Sequence, residues 1–416
     1  MIIYYLFIRI AAFFGHKKAR ALVHGERETI SNLKSQISNL PSPIWFHAAS
    51  VGEFEQARPL IERLRREQPQ QKIVVTFFSP SGYEARKNYD MADGIYYLPF
   101  PTRRNAKRFI KTLQPKIAVF VKYEFWPAYI RELSKRNIPV YSICAIFRKH
   151  QYFFRWWGKS QLGILRRFTH IYVQDGASKL ILSEHGIHNA SVAGDTRFDR
   201  MAQVMANGQT AKGLMPVAQF TEDCNRVIVA GSTWPKDEVL LEKYMNNDER
   251  LMANGRQPKL ILVPHELNEK HLHFIFNLFR GRMVRYSAVS AMTDAVSRRN
   301  ILQHAQVLVV DTMGLLSSIY PFGHVAYIGG GFGAGIHNTI EAAAYGKPVI
   351  FGPKYDHFRE AKGLIESGAA RSIKKYSDLE AALETALDNY DTIGAKASEY
   401  VQSELGATDK IYKQIF

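Results

Sequence analysis

The sequence predicts an α/β protein built from two doubly wound parallel-sheet domains, and three observations predict it. Short, continuous apolar runs recur along the 416-residue chain, as strands buried on both faces require. Stretches with helical apolar spacing separate most of them, the alternation that joins parallel strands through crossover helices. The series occurs twice, on either side of a polar stretch from Asp199 to Asn225 that contains Asn207-Gly208 and Pro216, so two similar domains facing each other are expected. A hydrophobic content of 46% over this length suffices for two separate cores.

In chain order, residues 1–24 form an N-terminal membrane-associated segment. Ile2 to Phe14 is apolar and aromatic, but it carries Arg9 and falls short of the ~20 residues that a spanning helix needs. A place in the membrane interface and a buried N-terminal helix both fit it. His16, Lys17, Lys18 and Arg20 follow the apolar run rather than precede it, unlike a secretory signal, and this order keeps the bulk of the chain cytoplasmic.

Residues 25–205 form the first domain, with strands expected at Ile44–His47, Ile73–Phe77, Gly94–Leu98, Ile117–Val121, Val140–Ile143 and His170–Gln174. Its centre is Ile44 to Ile61, where an apolar strand runs through Ala48, Ala49, Ser50 and Gly52 into a helix that begins with Glu53. Small residues there let backbone approach a ligand, and strand ends and helix amides converge at such turns. Taken alone, Glu53 also reads as a first-turn carboxylate favoured by the helix dipole.

Residues 206–395 form the second domain, with strands expected at Val227–Ala230, Leu260–Val263, Met283–Tyr286, Val307–Val310, Val325–Ile328 and Pro348–Phe351, and a helix in 396–416 packs back on the first domain. Polar turns follow the strands: Gly231-Ser232-Thr233, Pro264-His265-Glu266 and Asp311-Thr312-Met313-Gly314. The richest is Gly329 to Asn338, which runs into a helix bearing Glu341. Such a loop can hold a phosphate on backbone amides, and glycines also gather in turns for packing alone. It is neither a Walker loop nor a first-strand dinucleotide fingerprint. Glu341 reads equally as a ribose-binding carboxylate and as a first-turn Glu.

The 55 Lys+Arg against 38 Asp+Glu, net +17, favour anionic partners without choosing among nucleic acid, lipid headgroups and phosphorylated or carboxylated substrates. Cys144 and Cys224 form neither a disulfide framework nor a zinc pattern. Arg103, Arg104, Lys107, Arg108 and Lys111 recur at helical spacing, and Phe147 to Trp157 mixes aromatics with cations; an interfacial role and a solvated helix face or core rim fit both.

Several stretches together resemble the 3-deoxy-D-manno-oct-2-ulosonic acid (Kdo) transferases of lipopolysaccharide synthesis, the WaaA or KdtA family: FHAASVGEFEQARPLI, EFWP, GDTRFD, LILVPHE, VVDTMGLL and YIGGGFGAGIHNTIEAAAYGKPVIFGP, in that order over nearly the whole chain. The resemblance implies a GT-B glycosyltransferase of two Rossmann-like domains facing a cleft, acting at the cytoplasmic face of the bacterial inner membrane as a peripheral or monotopic protein. It implies CMP-Kdo as donor, a lipid A precursor (lipid IVA) as acceptor, the anionic membrane surface as partner, no nucleic acid, and neither cofactor nor metal. Glu53 would be the general base of an inverting displacement. Arg197 stands where the family usually has a stabilising Lys, and Lys122 where many relatives have a stabilising Glu. On the donor side Pro264 and His265 would meet CMP, His265 in place of an Arg; Met313, Gly314 and Leu315 would give backbone contacts, and Asn338, Thr339, Ile340 and Glu341 would hold phosphate and ribose. The competing readings are a UDP-sugar GT-B transferase or epimerase, a nucleic-acid-binding protein, for which no motif is present, and a non-catalytic membrane-surface protein.

Overall fold

The computed structural model describes residues 7, 10–37, 40–206, 213–246 and 257–416. Part of the expected N-terminal apolar segment (residues 1–6, 8 and 9) and the Asn207-Gly208 turn lie outside the described residues. The chain divides into two compact units, one of Met1–Arg200 with Glu404–Phe416 and one of Met201–Ser403.

The first unit holds a seven-stranded, wholly parallel sheet: β1 (Ile44–Ala48), β2 (Ile73–Phe77), β3 (Gly94–Tyr97), β4 (Ile117–Val121), β5 (Val140–Ala145), β6 (His170–Val173) and β7 (Ala190–Val192). Their order is β3-β2-β1-β4-β5-β6-β7. One face is covered by the Arg103–Leu113 and Pro127–Lys135 helices, through Phe109, Ile110, Tyr129 and Leu133. The other is covered by the Val51–Glu67 helix and by Ile411, Tyr412 and Ile415 of the Ala407–Ile415 helix. With both faces covered, β1, β2 and β4 are buried throughout, which is why they read as unbroken apolar runs.

The Lys17–Ile37 helix is tied to this unit through Glu26, which is 4% exposed and accepts from Phe100 N and Asn105 Nδ2, both at 3.1 Å. Ahead of it Phe7, Ile10, Phe13 and Phe14 are exposed. Among the described residues, no helix is long and apolar enough to cross a membrane.

The second unit holds another seven-stranded parallel sheet: β8 (Val227–Thr233), β9 (Lys259–Pro264), β10 (Met283–Arg285), β11 (Val307–Val309), β12 (Val325–Ile328), β13 (Val349–Phe351) and β14 (Ala370–Ser372). The order is β10-β11-β9-β8-β12-β13-β14. Here β11 inserts between β9 and β10, which brings the turn after β11 next to the turn after β9. The strand order reverses between β1 and β4 in the first sheet and between β8 and β12 in the second. Chain leaving the two strands at such a reversal diverges to opposite faces and opens a crevice at their carboxyl ends.

Candidate functional site

In the first unit the crevice is bordered by the turns after β1 and β4. Ser50 caps the Val51–Glu67 helix, its hydroxyl accepting from Glu53 N at 3.4 Å, while Glu53 Oε2 reaches back to accept from Ala49 N at 2.6 Å. Glu53 is therefore a cap carboxylate, close to the reciprocal box that Ser-x-x-Glu favours. It is also perturbed: burial, then the neighbouring Glu124 charge, push its pKa up to about 7, against the Ala49 amide, Lys122 and the Ser50 amide. A carboxylate that gains and loses its proton near neutrality is suited to general-base work. Beside it a Cβ on Gly52 would meet nothing within 4 Å, so space is open above the helix start.

Lys122, the first residue beyond β4, has a left-handed backbone (φ 59°), while its N–H still donates to Ile143 O at 2.9 Å. A non-glycine residue bears a cost of about 1–2 kcal/mol there. The turn lifts Lys122 out of the strand, and its ammonium lies 5.6 Å from the Tyr123 ring centre.

A buried relay stands behind these groups. Thr76 Oγ1 accepts from Trp45 Nε1 at 2.8 Å, and His47 Nδ1 lies 2.9 Å from the same hydroxyl and 3.1 Å from Thr76 O, a carbonyl that can only accept, so Nδ1 carries the proton. His47 Nε2 then accepts from Trp126 Nε1 at 3.0 Å, an N–H shared with Glu124 Oε2 at 2.5 Å, and lies 3.2 Å from that oxygen itself. His47 is fully buried and Glu124 8% exposed. His47, Thr76 and Trp126 escaped the sequence reading as functional residues, although His47 and Trp126 sit in the FHAAS and EFWP stretches.

Arg197 starts the Thr196–Ala206 helix region, and its Nε and Nη2 donate to Asp195 Oδ2 at 3.0 and 2.6 Å. Asp195 also accepts from Gln56 Nε2 at 3.1 Å. Burial alone would raise the Asp195 pKa, but the Arg197 guanidinium holds it below the ordinary carboxylate range. Arg197 thus arrives oriented and partly neutralised.

In the second unit the turns after β8, β9, β11 and β12 share the carboxyl edge of the sheet. His265 is exposed, and its ring stacks on Trp234 (4.9 Å, 27°) and on His337 (4.3 Å, 26°); Trp234 Nε1 donates to His337 Nε2 at 3.2 Å. Accepting that bond requires His337 to be neutral at Nε2, and burial, then the adjacent His265, push its pKa down to about 4. Trp234 and His337 are further groups that the sequence reading left out.

Two glycines of the 329–338 loop have a packing cause. A Cβ on Gly329 would lie 2.3 Å from Ser232 O, and one on Gly331 2.6 Å from Gly352 Cα, so neither position admits a side chain. Gly330 and Gly335 have φ of 90° and 141°. The helix after the loop, Ile340–Ala344, has only five residues, so its dipole is slight and backbone amides are what the loop offers an anion. Asn338 Oδ1 accepts from Ile340 N at 3.0 Å and its Nδ2 donates to Glu341 Oε1 at 2.8 Å. Thr339 and Ile340 are fully buried. Pro264 ends β9 in the interior, Met313 is 76% exposed, and Gly314 turns with φ 84° before the half-buried Leu315.

Buried carboxylates underpin this edge. Asp237 accepts from Trp234 N (3.0 Å), Tyr327 Oη (2.8 Å) and Gly330 N (3.0 Å), joining the β8 and β12 turns. Glu238, fully buried, accepts from Thr233 Oγ1 at 2.8 Å and faces His271 Nε2 at 2.9 Å. Among the described residues, no cluster of three or more His, Cys, Asp or Glu side chains is placed to hold a metal ion.

The family described as 3-deoxy-D-manno-octulosonic-acid transferase (kdotransferase) matches residues 15–200. The chain is 26% identical to a 3-deoxy-D-manno-octulosonic acid transferase of Haemophilus influenzae over 385 residues, 89% of this chain and 86% of the relative. It is 25% identical to the protein of the same name from Aquifex aeolicus, covering 83% and 86%. In structure it is similar to the UDP-GlcNAc 2-epimerase of Neisseria meningitidis, with TM-score 0.62 and 14% identity over 90% of this chain and 99% of the other, a likeness of fold alone.

Proposed function

We propose that the chain, similar over most of its length to Kdo transferases and of GT-B fold, is a glycosyltransferase of that family and moves Kdo from CMP-Kdo to a lipid A precursor by an inverting displacement with Glu53 as general base. The observation that carries the reading is the Glu53 carboxylate, lifted to about 7 by burial and by Glu124, with Lys122 opposing, at the strand-order reversal of the first unit.

In this reaction the acceptor hydroxyl gives its proton to Glu53 as its oxygen bonds to the anomeric carbon of Kdo. The bond from that carbon to the phosphate oxygen breaks, and the electron pair leaves with CMP. Lys122 and Arg197 supply positive charge to the carboxylate-bearing sugar and its leaving group. Pro264, His265, Met313–Leu315 and Asn338–Glu341 hold the donor; His265 offers one hydrogen bond where an Arg would clamp with two. The flat, exposed His265 face suits the planar base as well as a phosphate oxygen. The exposed Phe7, Ile10, Phe13 and Phe14 support seating on the cytoplasmic face of the inner membrane.

The test is turnover of CMP-Kdo by purified protein with a tetraacylated lipid A precursor, with and without chelator, for wild type and Glu53→Gln, with mass spectrometry counting the Kdo units. The expected result is transfer by the wild type, insensitive to chelator, and a loss of at least ~100-fold in the variant with CMP binding retained. Wild-type CMP binding without transfer would overturn the acceptor; undiminished transfer by Glu53→Gln would overturn the base.

A further inference from the structure

A groove of about 830 Å³ lies in the first unit between the Arg103–Leu113 and Pro127–Lys135 helices. Phe100 and Pro127 contribute apolar wall, and Arg103, Lys107, Arg131 and Lys135 also line it. The cations come as an i,i+4 pair on each helix, so each pair shares one helix face. All four are exposed, and among the described residues none has a carboxylate partner. The one acid in the lining, Glu132, is held by Arg136 at 2.8 Å. Elsewhere in the unit the chain does pair its arginines: Arg58 with Glu62, Arg63 with Glu67 and Asp409, Arg65 with Asp93. Four like charges around one groove repel one another, and a bound polyanion relieves that repulsion.

The groove adjoins the Glu53 region through shared wall. Pro127 directly follows Trp126, whose indole donates to Glu124. Phe78 packs against Trp126 (5.0 Å between ring centres) and against Phe100 (6.5 Å), which lines the groove. A ligand with one end at Glu53 therefore has an apolar path to the cations.

We propose that this groove binds a phosphate group of the acceptor's sugar headgroup and so selects phosphorylated glycolipids. The apolar wall suits the sugar faces and acyl stems of an amphiphile, and the arginines suit the bidentate geometry of a phosphate. The inference rests on the transferase reading for the identity of the acceptor.

The experiment uses the full chain with Arg103→Gln/Lys107→Gln and with Arg131→Gln/Lys135→Gln, exposed positions at which Tm should hold. Steady-state kinetics in detergent compare the bisphosphorylated tetraacyl lipid A precursor with the same lipid after phosphatase removal of one phosphate. For the bisphosphorylated acceptor the expected KM rises at least ~10-fold in each double variant, the preference over the dephosphorylated lipid collapses, and KM for CMP-Kdo stays in place. Unchanged KM, or an equal rise for both lipids, overturns the proposal. So does loss of flotation with phosphatidylglycerol vesicles while the detergent kinetics stay unaltered, since the groove would then be a contact for bulk membrane. Binding of the bisphosphorylated lipid without CMP-Kdo separates this inference from the premise: if the wild type binds and the variants do not, although no transfer occurs, the groove assignment stands and the transferase reading falls. Equal binding by wild type and variants, or none by either, overturns the groove assignment.

Discussion

His47 Nε2 lies 3.2 Å from Glu124 Oε2, and this buried contact joins the end of β1 to the turn after β4 across the place where the strand order of the first sheet reverses. Because Trp126 donates to the same oxygen, Glu124 is fixed in position and its charge acts on Glu53 from a set place.

Replacing Glu124 with Gln removes a repulsive charge from beside Glu53. The Glu53 pKa should fall, and the acidic limb of the kcat/KM profile should move to lower pH by roughly 0.5–1 unit. A profile measured from pH 5 to 9 checks this; an unmoved limb with lower kcat would assign Glu124 a purely structural part.

Lys122→Ala should act in the opposite sense, since the ammonium opposes the rise of the Glu53 pKa. The same limb should climb by about 0.5 unit or more, so activity at pH 7 falls while activity at pH 9 recovers much of the loss. Equal loss at both pH values would mean that the Lys122 charge acts on the substrate alone and does not tune the base.

Glu53 also links stability to pH. With a folded-state pKa of about 7 against an ordinary 4.5, the folded protein holds a proton that the unfolded chain has released between those values. Unfolding free energy therefore declines as pH rises from about 4.5 to 7 and stays reduced above it. Glu53→Gln should be more stable than wild type at pH 8 by about 1–3 kcal/mol, with the difference shrinking toward pH 4. Urea denaturation at both pH values measures it.

In the second unit His271 Nδ1 faces Glu266 O at 3.0 Å while Nε2 faces the Glu238 carboxylate. The carbonyl can only accept, so Nδ1 donates, and the Nε2 contact needs one proton shared with Glu238, whose pKa burial raises against the pull of His271. His271→Ala strands a buried carboxylate and frees the turn carrying His265. Stability should drop by about 3–5 kcal/mol at pH 8 and by less at pH 5, where Glu238 protonates more readily. KM for CMP-Kdo should rise more than kcat falls, which steady-state kinetics on the folded fraction would show.

What the sequence by itself determined is the repeated alternation of elements. β2, β4 and β12 stand where their apolar runs predict, because strands covered on both faces leave an unbroken local signature. The edge strands β7 and β14 left none: each has three residues, with Ser191 only half-buried and Arg371 exposed. Ser50 and Glu53 were legible as the start of a helix, since capping depends on neighbours in the chain. Only the tertiary structure decided that Glu124 and Lys122, from a distant turn, set the proton affinity of Glu53, because pKa depends on burial and on charge through space. It also decided that Gly329 and Gly331 answer to backbone packing, and that cations from two helices line one groove. Local periodicity writes the elements into the sequence, whereas close approach between distant residues exists only once the sheet has brought them together.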